Sequence, residues 1–165
     1  MIRRWRGRSV GLAILALLLL PLAASAESGQ YPLLVVRGPD GSVLARMPLA
    51  DGGFTLRYRN SLYRSTAEEH YAVAPEGMIE LRSLAADELA VLEEYYAIDE
   101  PARPSPSGAR AWTAEPARPV TIASLTVAAT DLGRRTLLID GQPELELWRL
   151  VRDESPSVQL SVAAP

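Results

Sequence analysis

Turn-forming residues interrupt this chain roughly every ten positions, and between them apolar side chains alternate instead of recurring at helical spacing. The clearest case is Phe54 to Arg59, where Phe54, Leu56 and Tyr58 point one way and Thr55, Arg57 and Arg59 the other, as in a half-buried strand. Tyr31 to Arg37 is a near-continuous apolar run ended by Pro39-Asp40-Gly41, and Val43 to Leu49 runs on to Asp51-Gly52-Gly53. Glu69 to Val73 and Met78 to Leu84 flank Pro75-Glu76-Gly77, so a hairpin is the simplest connection.

Further along, Leu89, Leu92 and Tyr96 follow a candidate cap at Asp87 and predict a short helix, although Val91 and Tyr95-Tyr96 would also suit a strand. Five prolines (Pro101, Pro104, Pro106, Pro116 and Pro119) then occupy residues 99–119 and predict an extended loop without helix or ladder. Strands are expected again at Val120 to Ala128, at Thr136 to Ile139 and through Leu145 and Leu147, after which Trp148, Leu150 and Val151 break the phase and suggest a bulge or a stretch covered on both faces. Val158, Leu160 and Val162 form a last alternating strand. About eight or nine short strands with such punctuation predict an all-β, single-domain antiparallel sandwich or open barrel.

Residues 1–26 read as an export signal. Arg3, Arg4, Arg6 and Arg8 precede an uncharged apolar run, and Ala24-Ser25-Ala26 offers a signal peptidase site before Glu27, so cleavage is expected after Ala26. A retained membrane anchor is the competing reading. The uncharged stretch from Ser9 to Ala26 has 18 residues, at the lower limit for spanning, and Pro21 and Ser25 weaken its last third. The expectation is a periplasmic or secreted domain covering residues 27–165.

Removing four arginines and no acids changes 17 basic against 20 acidic residues into 13 against 20. A mature chain of about seven net negative charges argues against nucleic acid or anionic lipid as the principal partner, because both require a basic face. All the basic residues are arginine, which excludes lysine chemistry. There is no cysteine, so a disulfide framework, a thiolate nucleophile and a lipidated cysteine are excluded together. The remaining 139 residues suffice for one self-sufficient core.

Within Phe54 to Val73, an alternating strand runs into Asn60-Ser61-Leu62, Glu69 follows, and Tyr71-x-Val73 continues the next strand. This segment resembles the small exported proteins grouped as domain-of-unknown-function family 1850 and associated with TAXI-type TRAP transporters. In that family a His-Ser-Val-like tripeptide stands where this chain has Asn60-Ser61-Leu62, so asparagine replaces the histidine. A glycine-rich turn ending in Leu-Pro is likewise replaced by the proline-rich segment 99–119. The strands from Thr136 to Val162 are loosely similar. The resemblance implies a membrane-transport setting, with TRAP membrane subunits or a solute-binding protein as partners, and assigns no catalytic residue.

Read from the residues alone, Asn60 and Ser61 end a strand at a bend, where short polar side chains bond released backbone amides. Glu69 could join that corner with Arg57, Arg59 or Arg64 as charge partner. Asn60, Ser61, Glu69 and Arg59 are therefore the candidate recognition corner. Trp112, with Arg110, is the candidate partner-contact part of the proline-rich loop, because a tryptophan has little reason to sit in a polar loop.

Other chemistries find little footing. Ser61 and His70 stand nine residues apart, without the glycine-flanked serine of a hydrolase elbow. His70 is the sole histidine, too few for a usual zinc site, and Glu93, Glu94, Asp99 and Glu100 lack the spacing of a calcium loop. No cofactor or metal is expected. The reading is a non-enzymatic accessory of a TRAP-type solute transport system, with a free small-ligand-binding β module as the main alternative and an envelope hydrolase acting through Ser61 as a third.

Overall fold

A computed structural model describes residues 31–164, and the expected export signal with its cleavage site lies outside the described residues. Two antiparallel sheets face each other. The smaller is built from β1 (Leu33–Arg37), β2 (Val43–Pro48), β9 (Ser124–Ala128) and β12 (Ser157–Ala163), in the order β2-β1-β12-β9. The larger contains β3 (Gly53–Arg59), β4 (Thr66–Ala74), β5 (Met78–Ala86), β6 (Arg103–Pro104), β7 (Trp112–Ala114), β10 (Thr136–Leu138) and β11 (Leu145–Glu146). Its order is β11-β10-β3-β4-β5-β7-β6, and β8 (Val120–Ile122) also pairs with β5. The all-β, antiparallel architecture expected from the alternation, a sandwich or open barrel, is the one observed.

The main core forms where the inward phases of the two sheets meet. Leu34, Val36, Val158 and Leu160 of the smaller sheet and Phe54, Leu56, Ile79 and Leu137 of the larger belong to one buried cluster. Phe54 stacks on Tyr71 with ring centroids 5.0 Å apart, joining β3 to β4 across the ladder. A second cluster lies farther along the larger sheet, where Ala67, Leu84, Ala86 and Ala114 pack with Val91 and Leu92 of the helix α1 (Leu89–Tyr95). A register shift between His70 and Tyr71 in the β4–β5 pairing falls between these two regions.

Several sequence expectations are corrected. Residues 99–119 carry β6 and β7, with Arg103 opposite Thr113 and Pro104 opposite Trp112, while β7 pairs its other side with β5. Ladder formation survives the prolines because β7 contains none and Pro104 lies on the edge strand β6, where a missing N–H is tolerated. Val120 to Ala128 is two strands: β8 pairs with β5 in one sheet and β9 with β12 in the other. An apolar run of that length can serve both sheets by changing sheet at a corner.

The strand expected through Leu147 stops at Glu146. Leu147–Arg149 form a 3₁₀ turn that buries Leu147 and leaves Trp148 beside the Arg134 and Arg149 guanidiniums, 5.9 and 4.8 Å from its ring centroid. Asp87 does not cap α1, and the N-cap residue Glu88 makes no side-chain cap either. Its carboxylate instead accepts from the Thr66 amide and from Arg110.

Gly53 opens β3 opposite Ala72, and a Cβ there would lie 2.8 Å from the Tyr71 carbonyl oxygen. Backbone cannot yield at that distance as a flexible side chain can. Gly53→Ala is expected to lower stability by about 1–3 kcal/mol in urea unfolding. An unchanged midpoint would show that β3 and β4 do not approach so closely.

Candidate functional site

The β3–β4 hairpin puts two consecutive glutamates on opposite faces of the larger sheet. In its register Leu56 faces Glu69, Arg57 faces Glu68 and Tyr58 faces Ala67, so Glu69 shares the inward phase with Ala67 and Tyr71 while Glu68 points outward. Ala67 belongs to the second core and Tyr71 to the main one. The Glu69 carboxylate thus lies on the core face between two apolar clusters, with its side chain 12% exposed.

Such a carboxylate requires hydrogen bonds in place of water. Tyr96 Oη donates to Glu69 Oε1 at 2.6 Å, and Tyr71 Oη donates to Oε2 at 2.9 Å. Tyr58 Oη lies 2.6 Å from Tyr96 Oη. The single Tyr96 proton is committed to Glu69, so Tyr58 donates to Tyr96 and the bonds run Tyr58 to Tyr96 to Glu69.

Burial first, and the Glu69 charge second, push the Tyr71 and Tyr96 pKa values well above the usual phenol range. Burial also raises Tyr58, against the lowering effect of its bond to Tyr96. All three phenols therefore remain proton donors at physiological pH.

Arg135, just before β10, completes this group. Its guanidinium lies over the Tyr58 ring at 4.9 Å from the centroid, and Nη1 is 4.0 Å from Glu69 Oε2. This arginine is not among the charge partners expected for Glu69. Arg57 faces the other side of the sheet, and Arg59 and Arg64 form no ion pair among the described residues.

Asn60 makes the corner that the sequence predicts. It is buried, its Oδ1 accepts from the Leu62 and Tyr63 amides at 3.0 Å each, and its own amide donates to the Ser65 carbonyl at 2.9 Å. Arg64 takes φ = 54° to close the turn. This folding of residues 60–65 leaves Ser61 exposed.

A cleft of about 390 Å³ brings the predicted corner together. Arg59, Asn60, Ser61 and Glu69 all line it, joined by Tyr58, Tyr95, Tyr96 and Arg135 and by residues of the turn leading into β10. Arg110 and Trp112 do not. Trp112 lies on β7 and packs against the second core, so it is not part of an open contact loop.

Arg110 instead clamps the outer face. Its Nη2 donates to Glu68 Oε1 at 2.9 Å and its Nη1 to Asp87 Oδ1 at 3.2 Å, while Arg57 Nε donates to Glu68 Oε1 at 3.0 Å. Burial raises the Glu68 pKa, but the hydrogen bonds and charges of Arg110 and Arg57 outweigh it and leave the carboxyl below its ordinary range.

His70 lies on this face too, with Nδ1 2.9 Å from Thr55 Oγ1. Burial lowers its pKa, partly opposed by Glu68. Ser61 and His70 line different cavities, on opposite sides of the sheet. From Thr66, beside the turn, to His70 is four strand residues, about 13 Å. The serine–histidine pair that a hydrolase would use is not formed.

Tyr58, Tyr71, Tyr96 and Arg135 are not among the site residues expected from the sequence, although part of the signal is present there. Glu69 has the same phase as Tyr71 and Val73, so a strand that buries those two must turn Glu69 inward. Nothing local pairs Arg135 or Tyr96 with it. No protein-family model, curated protein or solved structure matches the chain.

Glu68→Gln removes the charge shared by two arginines, one of them mostly buried, and should cost about 2–3 kcal/mol at neutral pH. Because the folded-state pKa of Glu68 is depressed, its contribution is complete above the ordinary value of 4.5 and disappears as pH falls through the lower folded value. Urea midpoints between pH 7 and 3 should therefore show an acid-dependent difference between wild type and E68Q that narrows below pH 4.5. Parallel curves would remove Glu68 from the stability account.

Proposed function

We propose that this chain is an exported, non-enzymatic β-sandwich module that binds a small polar ligand in the Glu69–Tyr96–Arg135 cleft and serves a TRAP-type solute transport system. The observation that carries the binding reading is the inward-facing Glu69 carboxylate, held by two tyrosine hydroxyls at the wall of an open cleft. A sheet interior is normally filled by apolar side chains, and placing a carboxylate and an arginine there sacrifices burial for recognition. A few convergent polar groups among aromatic walls are the usual composition of a small-molecule site. The three phenols are held as donors, which suits binding better than proton abstraction.

The transport setting rests on the resemblance of residues 54–73. It gains support from the placement of the residues that carry it, since Asn60, Ser61 and Glu69 line the same cleft. The ligand would then be a solute of the transporter, or a signal that governs docking to its membrane subunits or solute-binding protein. With cleavage after Ala26 and no cysteine to lipidate, membrane association would come through that partner.

A thermal-shift screen of organic acids, sugars, amines and metal ions should raise the unfolding midpoint with at least one class, in proportion to occupancy. No shift at millimolar concentration would overturn the binding reading. Affinity capture from membranes and periplasm with the transporter expressed should recover a TRAP component. Its absence would overturn the transport reading.

A further inference from the structure

We infer that the ligand is a small carboxylate, seated on the free edge of the Arg135 guanidinium inside the cleft. This inference rests on the ligand-binding reading and names its chemical class.

Arg135 has unfilled hydrogen-bonding capacity. A guanidinium carries five N–H donors, yet among the described residues this one makes no hydrogen bond, and its sole ionic contact is Glu69 at 4.0 Å. Its side chain is nonetheless only 24% exposed. Glu69 does not close the gap, since its nearest oxygen lies 4.0 Å from Nη1, beyond hydrogen-bonding distance. The guanidinium carbon lies over the Tyr58 ring, 4.9 Å from its centroid, a contact that uses none of the N–H donors and leaves the fork free to match two oxygens in one plane.

Charge and size select the carboxylate further. The cleft is lined by Arg59, Arg135 and a single acid, Glu69, so it is locally positive in a chain whose net charge is −3. That arrangement steers anions inward. The nearby Glu69 disfavours a second negative charge on the same group, which counts against phosphate and favours a monoanionic carboxylate. A volume of about 390 Å³ is at the lower end for ligand pockets and suits a compact molecule. Beside it, Tyr58 Oη retains acceptor capacity for a hydroxyl on the ligand.

Calorimetric titration of the full exported chain with acetate, lactate and succinate, alongside inorganic phosphate, glucose and ethanolamine, tests the class directly. At least one carboxylate should bind, and Arg135→Met should weaken it roughly ten- to a hundredfold, as expected for loss of a charge-assisted hydrogen bond. Arg135→Lys should retain part of the affinity. Glu69→Gln, which keeps an acceptor for the tyrosines but removes a like charge, should tighten carboxylate binding. That variant also carries the test if Arg135→Met fails to fold.

Binding of phosphate, glucose or ethanolamine without any carboxylate would overturn this inference while leaving the ligand-binding reading intact. Carboxylate binding that is unchanged in Arg135→Met, or that is weakened in Glu69→Gln, would overturn it as well. A chain that binds none of the six would overturn the inference, and the broader thermal-shift screen then decides the reading beneath it.

Discussion

The seven-residue ladder between β3 and β4 is the constraint on which the rest of the larger sheet depends. Strand geometry sends adjacent residues to opposite faces, so Glu68 and Glu69 cannot share a solution. Outside, Glu68 is met by Arg57 from the paired strand and by Arg110 from the segment between β6 and β7. Inside, Glu69 is met by phenol hydroxyls. The first arrangement saturates a charge and ties a long segment to the sheet; the second satisfies a carboxylate while leaving an arginine beside it with open donors.

That difference sets the two faces to different work. Arg110 is held by both Glu68 and Asp87, and Asp87 also receives the Thr66 amide, so the clamp connects the start of β4, the end of β5 and the proline-rich segment. The inner face has a break between its two apolar clusters, and Glu69 lies at that break. Helix α1 covers the second cluster and is followed at once by Tyr96, whose hydroxyl reaches the carboxylate. The cleft thus follows from a sandwich whose core is interrupted by a polar group that both sides must accommodate.

The sequence was most legible where one strand could be judged by itself. Alternation at Phe54 to Arg59, the turn at Pro75-Glu76-Gly77 and the Asn60 corner all form as read, because each depends on neighbours within a few residues. Reading failed where a partner strand decides the outcome. Composition made residues 99–119 a loop, yet β7 needs only three proline-free residues beside β5 to form a ladder. Val120 to Ala128 looked like one strand because periodicity is blind to a change of sheet. Trp112 seemed out of place in a loop and is at home against the second core.

From the sequence by itself come the all-β class, the main turn positions, the absence of cysteine and lysine chemistry, and the inward phase of Glu69 beside Tyr71. These depend on local sterics and on a period of two, which act between residues close along the chain. Only the tertiary structure decided that Tyr96 and Arg135 meet Glu69, that Arg57 and Arg110 meet Glu68, and that Asn60, Ser61 and Glu69 open onto one cleft. The physical reason is sheet order: β10 lies beside β3 and β7 beside β5, so the arginines that precede β10 and β7 are brought to the β4 glutamates by ladders between segments far apart in the chain.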